Sequence, residues 1–173
     1  MRATYLTGEH VYLRGLREAD KERAVAWFPS VFPINATRAE QLFRELPDHP
    51  WGAQEHTLVI VRGETDEIVG GIGLRSWDSR TCRLRFHFAP ALPDADVVWA
   101  ETLRLVIPWL RDEHEMMTVD VSIPADAGIV VETAEDLGMV LGARLREHIA
   151  RPAGRVDALI YQALNPRWEV PDA

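Results

Sequence analysis

The sequence predicts one α/β domain of the mixed, α+β kind, on three observations. First, the runs "HTLVIVR", "EIVGGIGLR" and "CRLRFHF" are β-rich and joined by the short polar turns "GETD" and "SWDSR", the pattern of an antiparallel meander. Second, segments with apolar residues at helical spacing lie before and after that meander. Third, 173 residues with 47% apolar and 27% charged composition suffice to bury roughly two-thirds of the unfolded surface in one core. The domain is expected over residues 1–165, with 166–173 as a loosely attached C-terminal tail.

In "HVYLRGL", Val11 and Leu13 alternate with Tyr12 and Arg14, which gives the first strand. Ala24, Val25, Trp27 and Phe28 cluster helically between Arg17 and Phe28, ahead of Pro29. "TRAE", Thr37–Glu40, reads as a capping box opening a second helix. The meander follows. A helix is then expected from about Asp96 to Asp112, with Pro108 as a kink. "MMTVDVSIP" returns as a strand, and a helix from near Gly128 to Leu137 stops at Gly138, the residue best suited to a left-handed helix end. Strands near Val140–Ile149 and Val156–Leu164, joined by "RPAGR", complete the order β-α-α-β-β-β-α-β-α-β-β.

The formal net charge of −8 argues against a nucleic-acid partner, which a basic field must attract. Among 19 basic residues Lys21 is the only lysine. No apolar run approaches a membrane span, "MRATYLTGEH" has no basic segment followed by an apolar one, and the single Cys82 forms no internal disulfide. A cytoplasmic location without membrane contact is the expectation.

Several phrases resemble the GNAT superfamily of acetyl-CoA-dependent N-acyltransferases, in particular its ribosomal-protein N-terminal acetyltransferase-like branch. "LTGEHVYLRGLREAD" is similar to the branch's first strand and helix entry, and "EIVGGIGLR" to its central strand. "AEDLGMVLGARLREHI" is similar to the penultimate helix with its glycine stop, and "RVDALIYQAL" to the closing strand. The resemblance covers nearly the whole chain. It implies a central mixed, mostly antiparallel sheet of about six to seven strands flanked by about four helices, acyl transfer from a thioester to a small-molecule or peptide amine, acetyl-CoA as donor, no metal, and room for a homodimer.

In that family the fourth strand leads into a loop of pattern Q/R-x-x-G-x-G/A, whose bare amides and following helix start hold the pyrophosphate. The matching positions here are Asp94, Ala95, Asp96 and Val97, with Trp99 just behind. Carboxylates stand where phosphates would lie. Each charge-assisted hydrogen bond is worth about 1.5–3 kcal/mol, so losing two or three would reduce a micromolar ligand, held by about 8 kcal/mol, to millimolar affinity or weaker. Acetyl-CoA binding is therefore expected to be weak or absent, with Asp94 or Asp96 capping the helix instead.

The family's leaving-group serine has no counterpart in "PADAGIVVE", where Ala127 and Val130 stand nearest. The pantetheine arm is held in the family by backbone groups where two strands part, which the resemblance locates at Phe88, Ala89 and Val121. The candidate catalytic residues are His87, as general base or as a structural histidine, and Tyr161, as proton donor or as a core tyrosine. Arg85 and the aromatics Trp27, Phe28 and Phe32 are candidates for the acceptor side. "DAD" at 94–96 and His114 in "RDEHE" lack the further ligands a metal site needs. Two functions fit: an N-acyltransferase with a degenerate cofactor loop, or a non-catalytic domain of the same fold that binds another small molecule or a partner protein.

Overall fold

The computed structural model describes residues 6–23, 35–44, 55–76, 80–89 and 92–168. Eight strands form one sheet: β1 (Leu6–Thr7), β2 (Val11–Gly15), β3 (Glu55–Arg62), β4 (Ile68–Ser76), β5 (Thr81–Phe88), β6 (Thr118–Pro124), β7 (Val140–Arg151) and β8 (Gly154–Leu164), in the order β1-β2-β3-β4-β5-β6-β8-β7. Every neighbouring pair is antiparallel except β5–β6. The helices are α1 (Ala36–Arg44), α2 (Ala95–Pro108) and α3 (Gly128–Asp136). The two-residue β1, too short to show a period, is the strand the sequence pattern missed.

Alternation along the strands divides the residues between two faces. Val11, Leu13, Leu58, Ile60, Leu84, Val119 and Val121 join Leu103, Val106 and Ile107 of α2 and Val130 of α3 in the main core. Tyr12, Val59 and Val61 face the other way and pack with Ala39 of α1. Beside this second cluster, Arg14 and Asp20 form a buried bidentate pair, with Nη1–Oδ2 at 2.7 Å and Nη2–Oδ1 at 2.8 Å. Asp20 also accepts the Arg17 N–H at 2.8 Å, so the charges leave water with most of their bonds made.

The helix ends correct one expectation. Asn35, not Thr37, caps α1: its Oδ1 accepts the Arg38 N–H at 2.8 Å, two residues ahead of the capping box read from sequence. Pro108 marks the change of helix type at the end of α2. Lacking an N–H, it ends the regular ladder, and Trp109–Glu113 continues as a π turn in which the His114 N–H reaches the Trp109 carbonyl at 3.0 Å. Gly138 stops α3 at φ +72°, with Gly138 N–H on Glu135 O and Met139 N–H on Ala134 O, as its sequence position predicts. The expected first helix appears as a 3-10 turn over Glu18–Arg23; its remainder lies outside the described residues. The start of the expected tail is anchored. Pro166–Trp168 forms a 3-10 turn, Arg167 pairs with Glu115, and the Arg80 guanidinium lies 4.0 Å over the Trp168 ring.

Candidate active site

The site is built where β5 and β6 part. Their parallel register runs from Thr81↔Thr118 to Leu84↔Val121. Beyond it, β5 continues beside β4 to the pair Gly70↔Phe88, and β6 continues beside β8 to the pair Pro124↔Ala158. In an antiparallel ladder alternate residues turn their amides to the same neighbour. The Ala89 N–H goes to Val69 O at 2.9 Å on the β4 side, while Arg80 O accepts from Met117 N–H at 2.7 Å on the β6 side. Even-numbered residues of β5 therefore face β6, and past Leu84 the backbone groups of Phe86 and Phe88 face the gap. Val121 makes the last β5–β6 pair, and Phe88 lies beyond it on β5. The N–H of Ala89 is already bonded within the sheet.

The approach of β4 to this end of β5 depends on Gly70. A Cβ there would meet His87 O at 2.4 Å and the Phe88 ring at 3.0 Å, so any side chain would push the two strands apart.

On the α2 side of the gap, Phe86, Phe88 and Trp99 form an aromatic cluster with ring centroids 5.2–6.2 Å apart. The indole Nε1 of Trp99 is buried there without a hydrogen-bond partner among the described residues. The start of α2 is correspondingly occupied by side chains. Asp94 stands at the N-cap but makes no side-chain cap bond; only its carbonyl takes part, accepting the Val98 N–H at 3.0 Å. The self-capping expected of Asp94 is thus overturned. Its carboxylate instead accepts from Arg62 Nη2 at 2.9 Å, because the end of β3 delivers a guanidinium beside the helix start. That bond holds the Asp94 carboxyl below the usual carboxylate range. Asp96 lies exposed in the first turn, Ala95 is half-buried, and Val97 is 48% exposed.

The two candidate catalytic residues lie on opposite faces. His87 alternates with Phe86 and Phe88, so it shares the face of Arg83 and Arg85, across from Gly71. Tyr161 sits beside Val121 on β8, faces the main core and is 3% exposed. Its hydroxyl donates to Glu135 Oε1 of α3 at 2.8 Å, and burial, followed by that hydrogen bond, raises its pKa. Arg85 is exposed on the His87 face, one residue past the last β5–β6 pair. Trp27, Phe28 and Phe32 lie outside the described residues. Cys82 is 3% exposed, and burial pushes its thiol up to about 11, which leaves it inert as a nucleophile. His114 sits edge-on to Trp109 and lines, with His56, Leu74 and Met116, a cavity of about 440 Å³ at the other end of the sheet.

Three participants escaped the sequence reading. Phe86 was within reach, since the parity that turns Phe88 toward the gap also turns Phe86. Arg62 and Glu135 carried no local signal: they meet Asp94 and Tyr161 across 32 and 26 residues.

Neither the models of protein families nor the curated proteins yield a match to this chain. Solved structures do. A protein of Sphaerobacter thermophilus DSM 20745, assigned as an acetyltransferase, shares 50% identity with a TM-score of 0.76, covering 96% of this chain and 99% of its own. A GNAT-family acetyltransferase of Bacillus anthracis (14% identity, TM-score 0.62, 92% and 97% coverage) shares the fold. So does the spermidine/spermine N-acetyltransferase SpeG of Vibrio cholerae (16% identity, TM-score 0.64, 90% and 92% coverage). With half its residues shared over nearly its whole length, and with a single parallel strand pair that parts beside His87, the chain belongs to the GNAT superfamily of acetyltransferases.

Proposed function

We propose that the protein is an N-acyltransferase that accepts an acyl thioester in the gap between β5 and β6 and transfers the acyl group to an amine approaching from the His87 face. The reading places it in the ribosomal-protein N-terminal acetyltransferase-like branch, in the cytoplasm, with a small-molecule or peptide amine as acceptor. One observation carries it: β5 and β6 lose their pairing after Leu84↔Val121, which leaves the β6-facing backbone groups of Phe86 and Phe88, beside His87, without a strand partner among the described residues.

Coenzyme A fits this chain in one part and not in another. The parted strands suit the pantetheine arm. The start of α2 does not suit a pyrophosphate, because Asp94 and Asp96 bring negative charge, and the guanidinium nearest the helix start is bonded to Asp94. A bound thioester supplies an activated carbonyl. The chain's own part is to hold the arm against the β5 backbone, to offer the Phe86 and Phe88 amides to the carbonyl oxygen, and to accept the amine's proton at His87. Tyr161, turned to Glu135, keeps its proton on the opposite face.

The test is thiol release from two donors, acetyl-CoA and an acetyl-pantetheine thioester without the pyrophosphate, across a panel of amines. Both should be used at similar efficiency. Acetyl-CoA should bind with a dissociation constant near millimolar or weaker, and His87→Ala should lower turnover by about 10²–10⁴. A micromolar dissociation constant for acetyl-CoA would restore an intact pyrophosphate grip. Absence of thiol release from either donor would overturn acyl transfer and favour the second reading, a non-catalytic binder, which the carboxylates at the start of α2 already support.

A further inference from the structure

The face of β5 that carries His87 is rich in arginine. Arg83 and Arg85 alternate with buried neighbours along the strand, and β4 sets Arg75 directly opposite Arg83. The positions on β4 opposite Arg85 and His87 are Gly73 and Gly71, which bring no side chain of their own. Three guanidinium groups and an imidazole thus share one face of two adjacent strands, in a chain whose formal charge is −8.

On β3 Glu55 is the register partner of Arg75, and on β6 the row is flanked by Asp120. Asp120 lies 3.7 Å from Arg83 and accepts from Gln162 Nε2 at 3.0 Å, so its charge is directed to Arg83. The Arg85 side chain is exposed and makes no hydrogen bond or ion pair among the described residues. Its backbone is the first of β5 beyond the last pair with β6. The guanidinium therefore stands at the mouth of the gap, on the face from which an amine would reach a thioester beside His87.

We infer that the acceptor is an amine that also carries a carboxylate, bound through that carboxylate by Arg85. This rests on the acyl-transfer reading above and deepens it. A planar guanidinium offers a carboxylate two parallel bonds. Its positive charge opposes polycations and favours the neutral form of an approaching amine, which is the form that attacks a carbonyl.

The experiment compares glutamate, its diamide (the same amine and skeleton without carboxylates) and spermidine, with the wild-type chain, Arg85→Gln and Arg85→Lys. Binding is measured by calorimetry and acyl transfer by thiol release, and because Arg85 is exposed both variants should fold as the wild type does. Glutamate should bind the wild type about tenfold or more tighter than the diamide, with spermidine weakest. Arg85→Gln should erase the preference and Arg85→Lys should keep part of it. Equal binding of glutamate and its diamide to the wild type, or a preference that survives in Arg85→Gln, overturns the inference. The two readouts separate the two readings. A carboxylate preference without thiol release removes acyl transfer and leaves the Arg85 site standing, whereas thiol release with spermidine as the best acceptor removes the Arg85 site and leaves acyl transfer.

Discussion

The two faces of β5 are built from the same eight residues and have opposite characters. Cys82 and Leu84 are each 3% exposed, and Phe86 and Phe88 pack with Trp99 under α2; Arg83 and Arg85, between them in sequence, are exposed. The pleat alone separates them. Because β6 leaves β5 after Leu84, the end of this strand carries an apolar cluster on one face and arginines on the other, with an edge unpaired to β6 between them. A strand inside a fully paired sheet has the two faces but not the unpaired edge.

The comparison is tested most severely by mutation on each face. Leu84→Ala should cost about 2–5 kcal/mol of stability, the lost transfer energy plus a cavity beneath α2. Arg83→Ala, one residue away, should stay within about 0.5–1 kcal/mol, since its ion pair with Asp120 is half-exposed. Urea unfolding of both measures the contrast, and similar losses would show that the two faces of β5 carry equal shares of the stability.

A smaller effect sharpens the apolar side. Tyr161→Phe should cost about 0.5–1.5 kcal/mol through the lost bond to Glu135. The tyrosine's pKa is raised in the fold, so its contribution is complete below the unfolded value near 10 and is lost as pH rises through the folded one. The gap in stability between wild type and Tyr161→Phe should accordingly shrink in unfolding series taken above about pH 10. A gap that widens with pH would mean the hydroxyl is not the donor.

The smallest effect lies at the start of α2. Asp94→Ala should cost no more than about 1 kcal/mol, since the Arg62 pair is partly exposed and screened. With its carboxyl held below the usual range by Arg62, the contribution is present above the unfolded pKa and disappears as pH falls through the folded one, below about pH 4. Arg62→Gln should remove the same increment, and the double mutant should lose little more than either single. Additive losses would show that Asp94 acts on the helix and not through Arg62.

The sequence by itself determined what local chemistry fixes. Alternation in "CRLRFHF" assigns Phe86 and Phe88 to one face and Arg85 and His87 to the other, Gly138 ends α3, and Asp94 to Val97 stand at a helix start without a glycine. Periodicity and backbone preference depend on neighbours a few residues away, so they are written in the string. It could not determine which groups meet across the fold. Asp94 reads as a cap until β3 brings Arg62 to 2.9 Å, and Tyr161 reads as a proton donor or a core tyrosine with no partner named until α3 brings Glu135 to 2.8 Å. The same holds for the parting of β5 from β6, since unmade backbone pairs leave no mark on residue identity: every non-proline residue carries the same amide, and only the packing of whole strands decides which amides find a partner.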